Sequence, residues 1–279
     1  MARVSTAGTI DDLGPLEERL GTISDLHAAA SVLAWDRQTY MPEGGVRARA
    51  EQLASLARVA HEMLVSPETG RLLEGAGERE PGSDEAALLR LARREYDRAL
   101  RLPARLVAET SRATALAEPA WIYARENSDW SLFAPHLEQI LALKQEEAQY
   151  LDAEHPYDAM LDRYDPGAST ERLRVMFDEL KAGIVPLVRE VSAGLGEDRA
   201  APLRGRFDEA VQEAFGREVI SRFGYDWSKG RQDRAVHPFC IGFGDPGDVR
   251  ITTRFDPKLL SVASSPPATR RATPSTSRV

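Results

Sequence analysis

The chain has 279 residues, 42% of them apolar and 29% charged, an ordinary balance for a globular protein with a sizeable core. Its net charge of -8 argues against a general nucleic-acid binder, which needs a basic face to neutralise phosphates. The single cysteine, Cys240, excludes an intrachain disulfide and fits a reducing compartment. Met1 to Asp11 carry no apolar run of signal-peptide length, and no stretch approaches the roughly 18 apolar residues of a membrane span. The expectation is a soluble, cytoplasmic protein with neither nucleic acid nor membrane as partner.

Up to Phe223 the chain reads as helix after helix. Leu53, Leu56, Ala60 and Met63 recur at intervals of three and four. Phe133, Leu137, Ile140 and Leu141 form a second stripe, followed by the charged Lys144 to Glu147. Leu173, Met176, Phe177, Leu180, Ile184, Leu187 and Val188 form a third, with Ser169 or Thr170 placed to cap its start. Phe207, Val211, Ala214 and Phe215 form a fourth. Each stripe has a polar opposite face, so each is expected to be core. Breaks fall at Pro42 to Gly45, Pro81-Gly82, Pro156, Pro166-Gly167 and Gly194 to Gly196.

After Gly224 the texture changes. Gly242, Gly244, Pro246 and Gly247 predict a loop. Val249, Ile251, Thr253 and Phe255 then alternate with Arg250, Thr252 and Arg254, the period of a strand with one apolar and one polar face. Residues 261–279 hold five Ser, three Thr, three Pro and three Arg with no acidic or aromatic residue, so they cannot build a core and are expected to be disordered.

Few groups are placed for chemistry. The histidines are His27, His61, His136, His155 and His237, and no two stand four apart, so the H-E-x-x-H zinc helix is absent. There is no G-x-S-x-G elbow, no P-loop and no cysteine-based metal spacing. Two short motifs are left, His237-Pro238-Phe239 and Asp248-Val249-Arg250-Ile251-Thr252. Residues two apart on a strand point the same way, so Asp248, Arg250 and Thr252 share a face. There the Asp can orient the Arg, and the Arg can grip a carboxylate with two parallel hydrogen bonds. The same pattern also suits the solvated edge of a small sheet, with a surface ion pair of little worth.

These motifs, in order, resemble the HPF and DxRxT signatures of the carboxypeptidase Taq family of metallocarboxypeptidases. Leu33-Ala34-Trp35-Asp36, Thr39-Tyr40-Met41-Pro42, Gly44-Gly45, Arg49-Ala50 and Gln52-Leu53 resemble the family's opening stretch. Pro156-Tyr157-Asp158, Leu161-Asp162 and Tyr164-Asp165-Pro166-Gly167 resemble its middle. The resemblance implies a mainly α, multi-helix peptidase fold, of which residues 1–260 are the N-terminal part, with a small β element near residues 237–256 beside a long groove. It implies removal of single amino acids from peptide C-termini, and homodimers. It also implies zinc, held by two histidines of an H-E-x-x-H helix and a later glutamate, with the glutamate inside that motif as general base. His237, Phe239, Asp248, Arg250 and Thr252 are then substrate-side residues of the groove. The metal ligands have no counterpart here, so this chain is expected to bind no zinc, to contribute no catalytic residue and to be inactive.

The tail bears on that absence. With suitable codons, a frame that starts on the last base of the Ala268 codon and runs to Val279 reads His-Glu-Ala-Gly-His-Ala-Leu-Tyr-Glu-Gln-Gly, which contains H-E-x-x-H. One lost nucleotide near residues 256–263 gives this shift, so residues 261–279 are expected to be a frameshifted tail. The competing readings are a non-catalytic helical peptide-binding or interaction module and an unrelated helical protein.

Overall fold

The structure is a computed structural model that describes residues 13–194, 203–244 and 247–260. Among them are nine α-helices and three β-strands, divided into two units. The mainly helical architecture with a small sheet matches the expectation. The tail expected to be disordered lies outside the described residues.

The first unit runs to Leu143 and includes Asp226–Thr253. It opens with α1 (Gly14–Thr39), α2 (Val46–Leu64), α3 (Pro67–Gly75), α4 (Asp84–Leu100) and α5 (Ala104–Asn127). Their starts and stops follow local chemistry. Ser66 and Ser83 cap α3 and α4 through their hydroxyls, and Pro67 occupies the first turn of α3, where no N–H is needed. Ser128 closes α5 in the left-handed region at φ 52°. The α2 stripe is buried as predicted: Leu53 and Ala60 are core, and Leu56 and Met63 are half-buried. Ala50 and Leu53 of α2 meet Ala115 of α5 and Leu33 of α1 in one cluster. The small alanines let these helices approach closely. A second cluster joins α1, α3 and α4 through Leu16, Leu20, Leu73 and Leu89.

The sheet contains β1 (Gly230–Arg234), β2 (Cys240–Gly242) and β3 (Val249–Thr253), in the order β1–β3–β2. β1 runs parallel to β3 and β2 antiparallel to it. β3 is therefore central, and the solvated-edge alternative does not hold. The strand also ends at Thr253, two residues short of its expected length.

The second unit holds Lys144–Tyr225 and the segment from Arg254. It contains the later part of α6 (Ala134–Tyr150), then α7 (Pro156–Leu161), α8 (Thr170–Gly194) and α9 (Glu209–Arg222). Asp158 accepts hydrogen bonds from the backbone N–H and the hydroxyl of Thr170. Asp162 accepts from Gly167 N at 3.0 Å, so the middle motif builds the turn into α8. Ser169 is the cap, accepting from Arg172 N. Gly224 ends α9 at φ 88°, a conformation that suits glycine, and Tyr225 N returns to Ile220 O at 3.2 Å.

Three stripes expected as core behave otherwise. No residue of α8 is buried: Met176 is 48% exposed, Leu180 49%, Ile184 45% and Leu187 58%. No described element packs along that helix, so its apolar face has no cover. In α9, Val211 and Phe215 are exposed, while Gln212, Gly216 and Ile220 are buried. Gln212 tolerates burial because its amide donates to the carbonyls of Phe207 at 3.1 Å and Asp256 at 2.9 Å. In α6, Leu141 is exposed and the buried apolar positions are Leu143 and Ala148.

Candidate functional site

The site lies in the first unit, where the end of α1 meets the sheet. α1 stops at Thr39, and the chain reverses through Pro42 and Gly45 into α2. Arg49, on the first turn of α2, fixes that reversal. It donates to Asp36 at 2.8 Å, to the Leu33 carbonyl at 2.6 Å and to Gln52 at 3.0 Å. The opening motif is thus a lock between two helices, and Trp35 sits inside it, 6% exposed.

On β3, Arg250 forms the ion pair expected from its spacing. Its Nε donates to Asp248 Oδ1 at 3.0 Å and its Nη2 to Asp248 Oδ2 at 2.7 Å, a bidentate geometry. The guanidinium carbon stands 4.2 Å from the centre of the Trp35 ring and 4.8 Å from that of Phe243. Arg250 is 19% exposed and Asp248 42%, so the pair is partly shielded rather than solvated.

Thr252 does something different. Its hydroxyl accepts from Phe239 N at 2.7 Å and donates to Phe239 O at 3.0 Å, while its own N–H also reaches Phe239 O at 2.8 Å. It is 5% exposed. The third member of the DxRxT motif therefore clamps the backbone of the HPF motif. His237, two residues before that clamp, is exposed, with its ring edge-on to Trp121 of α5 at 6.3 Å. The structure thus brings Asp248 to Arg250 and Thr252 to Phe239, and places His237 against α5.

Several neighbours are absent from the sequence expectation. Arg231 of β1 is the register partner of Arg250. It donates to Asp233 at 2.8 and 2.7 Å and to the Tyr40 hydroxyl at 3.0 Å, and it lies 5.3 Å from the centres of both the Trp35 and Tyr40 rings. Tyr40 in turn donates to Asp233. That hydrogen bond, helped by burial, holds the Tyr40 phenol above its ordinary pKa, and the same carboxylate raises Arg231. A signal existed: Arg231-x-Asp233 repeats the spacing of Asp248-x-Arg250 in reverse. Beside His237, Glu118 of α5 is paired with the buried Arg37 of α1. Burial lifts the Glu118 carboxyl above its usual range, against the opposing pull of Arg37 and His237.

The described residues do not fit a zinc site. His61 spends Nε2 on the Leu102 carbonyl at 2.9 Å, and His155 caps Tyr157 N through Nδ1. No three His, Cys, Asp or Glu side chains among the described residues converge on a cation position.

The sequence profile of the carboxypeptidase Taq (M32) metallopeptidases matches residues 15–265. The chain belongs to the M32 family. It is 37% identical over 244 residues to thermostable carboxypeptidase 1 of Thermus thermophilus, covering 82% of this chain and 48% of that protein. It is 34% identical over 247 residues to carboxypeptidase 1 of Bacillus subtilis, covering 88% of this chain and 49% of that one. The crystal structure of the M32 carboxypeptidase of Deinococcus radiodurans R1 is similar, with a TM-score of 0.75 at 34% identity over 90% of this chain and 50% of that one. The chain therefore spans about half the length of the M32 relatives it matches. No described helix is long and apolar enough to cross a membrane.

Proposed function

We propose that this M32 chain forms the wall of a carboxypeptidase groove that receives the C-terminal carboxylate of a peptide, with Arg250 as the receiving group. The observation that carries this is the Asp248 pair. It occupies Nε and Nη2, fixes the plane of the guanidinium and leaves Nη1 with no protein acceptor among the described residues. A fork held in advance loses little rotamer freedom when a carboxylate docks. Asp248 is its orienting partner, Thr252 holds Phe239 in place, and His237 flanks the same strands on the α5 side.

The family reaction needs a zinc-bound water activated by the glutamate of H-E-x-x-H, and this sequence has no such histidine pair. The chain by itself therefore binds a peptide end without releasing a residue. The purified chain is expected to bind an N-blocked dipeptide with a free carboxylate more tightly than its C-terminal amide. Arg250→Ala is expected to erase that preference, a loss of about tenfold or more for a charge-assisted hydrogen bond. Equal affinity for acid and amide in the native chain sinks the carboxylate assignment. Stoichiometric zinc together with residue release sinks the inactivity.

Residues 261–279 are read as a shifted frame. Sequencing the gene decides it: read one base earlier across Ala268 to Val279, the DNA is expected to encode the H-E-x-x-H helix, and any other product refutes the shift. A second reading, a non-catalytic interaction module, is favoured by one feature alone, the uncovered apolar face of α8.

A further inference from the structure

The Leu-Ala-Trp-Asp and Thr-Tyr-Met-Pro segments marked the family but carried no role. In the structure they converge on the two arginines of the sheet. Arg231 and Arg250 are register partners on parallel strands, so their side chains leave the sheet on the same face, side by side. Two adjacent guanidinium groups repel each other. Each is neutralised by an Asp two residues away in the sequence, and both lie over the ring of Trp35, at 5.3 and 4.2 Å from its centre.

We propose that Trp35 is the positioning residue for Arg250: its indole face is the shared platform that holds the two guanidinium groups at fixed places, and the Asp36–Arg49 lock holds the indole. The proposal rests on the carboxylate-receiving role of Arg250 and deepens it. Three observations carry it. First, a cation over a π-face is attracted to it, most strongly by Trp, and Arg250 is at contact distance. Second, Trp35 Nε1 is buried with no acceptor among the described protein groups. Phe would spare that unpaired N–H but offers a weaker π-face, so the indole is explained by the strength of its face. Third, Trp35 is closed in, 6% exposed, between two residues that Arg49 holds. Arg49 binds the carbonyl two residues before it and the carboxylate one residue after it. Asp248 fixes the plane of the Arg250 fork relative to β3, and the indole, nearer to the guanidinium than the Phe243 ring, adds the support that keeps the fork from swinging away from the groove.

The test reads the position of Arg250 directly. Arginines of the whole chain are labelled with phenylglyoxal and quantified by peptide mass spectrometry. Arg174, 65% exposed, serves as reference, and Arg49 reports the integrity of the lock. In Trp35→Leu, labelling of Arg250 relative to Arg174 is expected to rise about fivefold while Arg49 stays unchanged, and Trp35→Phe, which keeps a π-face, is expected to rise less. The preference for a free-carboxylate dipeptide over its amide is expected to fall in the same order. Unchanged Arg250 labelling in Trp35→Leu overturns the proposal. An equal rise at Arg49 also overturns it, because Trp35 would then be a packing residue. If Trp35→Leu does not fold, Trp35→Phe carries the test, with unchanged Arg250 labelling as the overturning result. If Arg250 is released as expected but the native chain binds acid and amide alike, Trp35 positions Arg250 and it is the carboxylate reading that fails.

Discussion

Helices α2 and α8 carry the same kind of sequence pattern and meet opposite fates. In α2, Leu53 is sealed between α1 and α5, and Ala60 is buried. In α8, an apolar row of similar spacing runs through Met176, Leu180, Ile184 and Leu187 with every member close to half exposed or more. Periodicity states that a face favours burial; it does not state what buries it. The α2 face finds its partners within the first unit. The α8 face has none among the described elements, in a chain that spans about half the length of its M32 relatives.

This contrast is open to a direct break, and the largest effect is expected there. Leu53→Ala removes buried methyl groups from a packed cluster and is expected to cost about 3 kcal/mol in urea unfolding. Leu180→Ala is expected to change stability by no more than about 0.5 kcal/mol, since it deletes no buried contact. A contiguous exposed apolar face also favours self-association. The chain is therefore expected to run as oligomers in size-exclusion chromatography with light scattering. Replacing Met176, Leu180, Ile184 and Leu187 together by Gln is expected to shift it to monomer. A native chain that is already monodisperse and melts cooperatively, or a Leu180→Ala variant as costly as Leu53→Ala, breaks the comparison.

What the sequence made legible follows the same division. The helical class, the breaks at Pro and Gly, the α2 stripe and the Asp248–Arg250 pair were all readable, because each depends on neighbours a few residues away. β1 was not readable. Gly230-Arg-Gln-Asp-Arg234 has no apolar residue to alternate, and it becomes a strand only through its pairing with β3. The polar face of β3 misled for a related reason. Arg250 and Thr252 look solvent-bound in sequence, but one is stacked on Trp35 and the other closed onto Phe239. Gln212 is a third case, buried with its amide nitrogen donating to carbonyls of two separate segments. Long-range partners decided all three, and a local window cannot contain them.

The smallest effect sharpens the comparison by charge. Two carboxylates, one in each unit, are shifted in opposite directions for opposite reasons. Glu118 is raised by burial, so its folded-state value lies above the ordinary 4.5. The folded chain then holds its proton more tightly than the unfolded chain. The stability this confers is complete below 4.5 and is lost as pH rises through the folded value. Asp158 is lowered from 3.8 by its hydrogen bonds from Thr170. Its contribution is present above 3.8 and is lost as pH falls through the depressed folded value. Urea midpoints measured against pH should separate the two. Relative to the native chain, Glu118→Gln is expected to flatten the decline above 4.5. It also leaves Arg37 without its ionic partner, which lowers the whole curve without adding slope. Asp158→Asn is expected to flatten only the acid limb below 3.8, because the amide oxygen still accepts from Thr170 but no longer titrates. Curves that run parallel to the native one in both variants would mean that neither carboxylate is shifted by its surroundings. The interior of the first unit would then be no drier, as these groups experience it, than the exposed turn before α8.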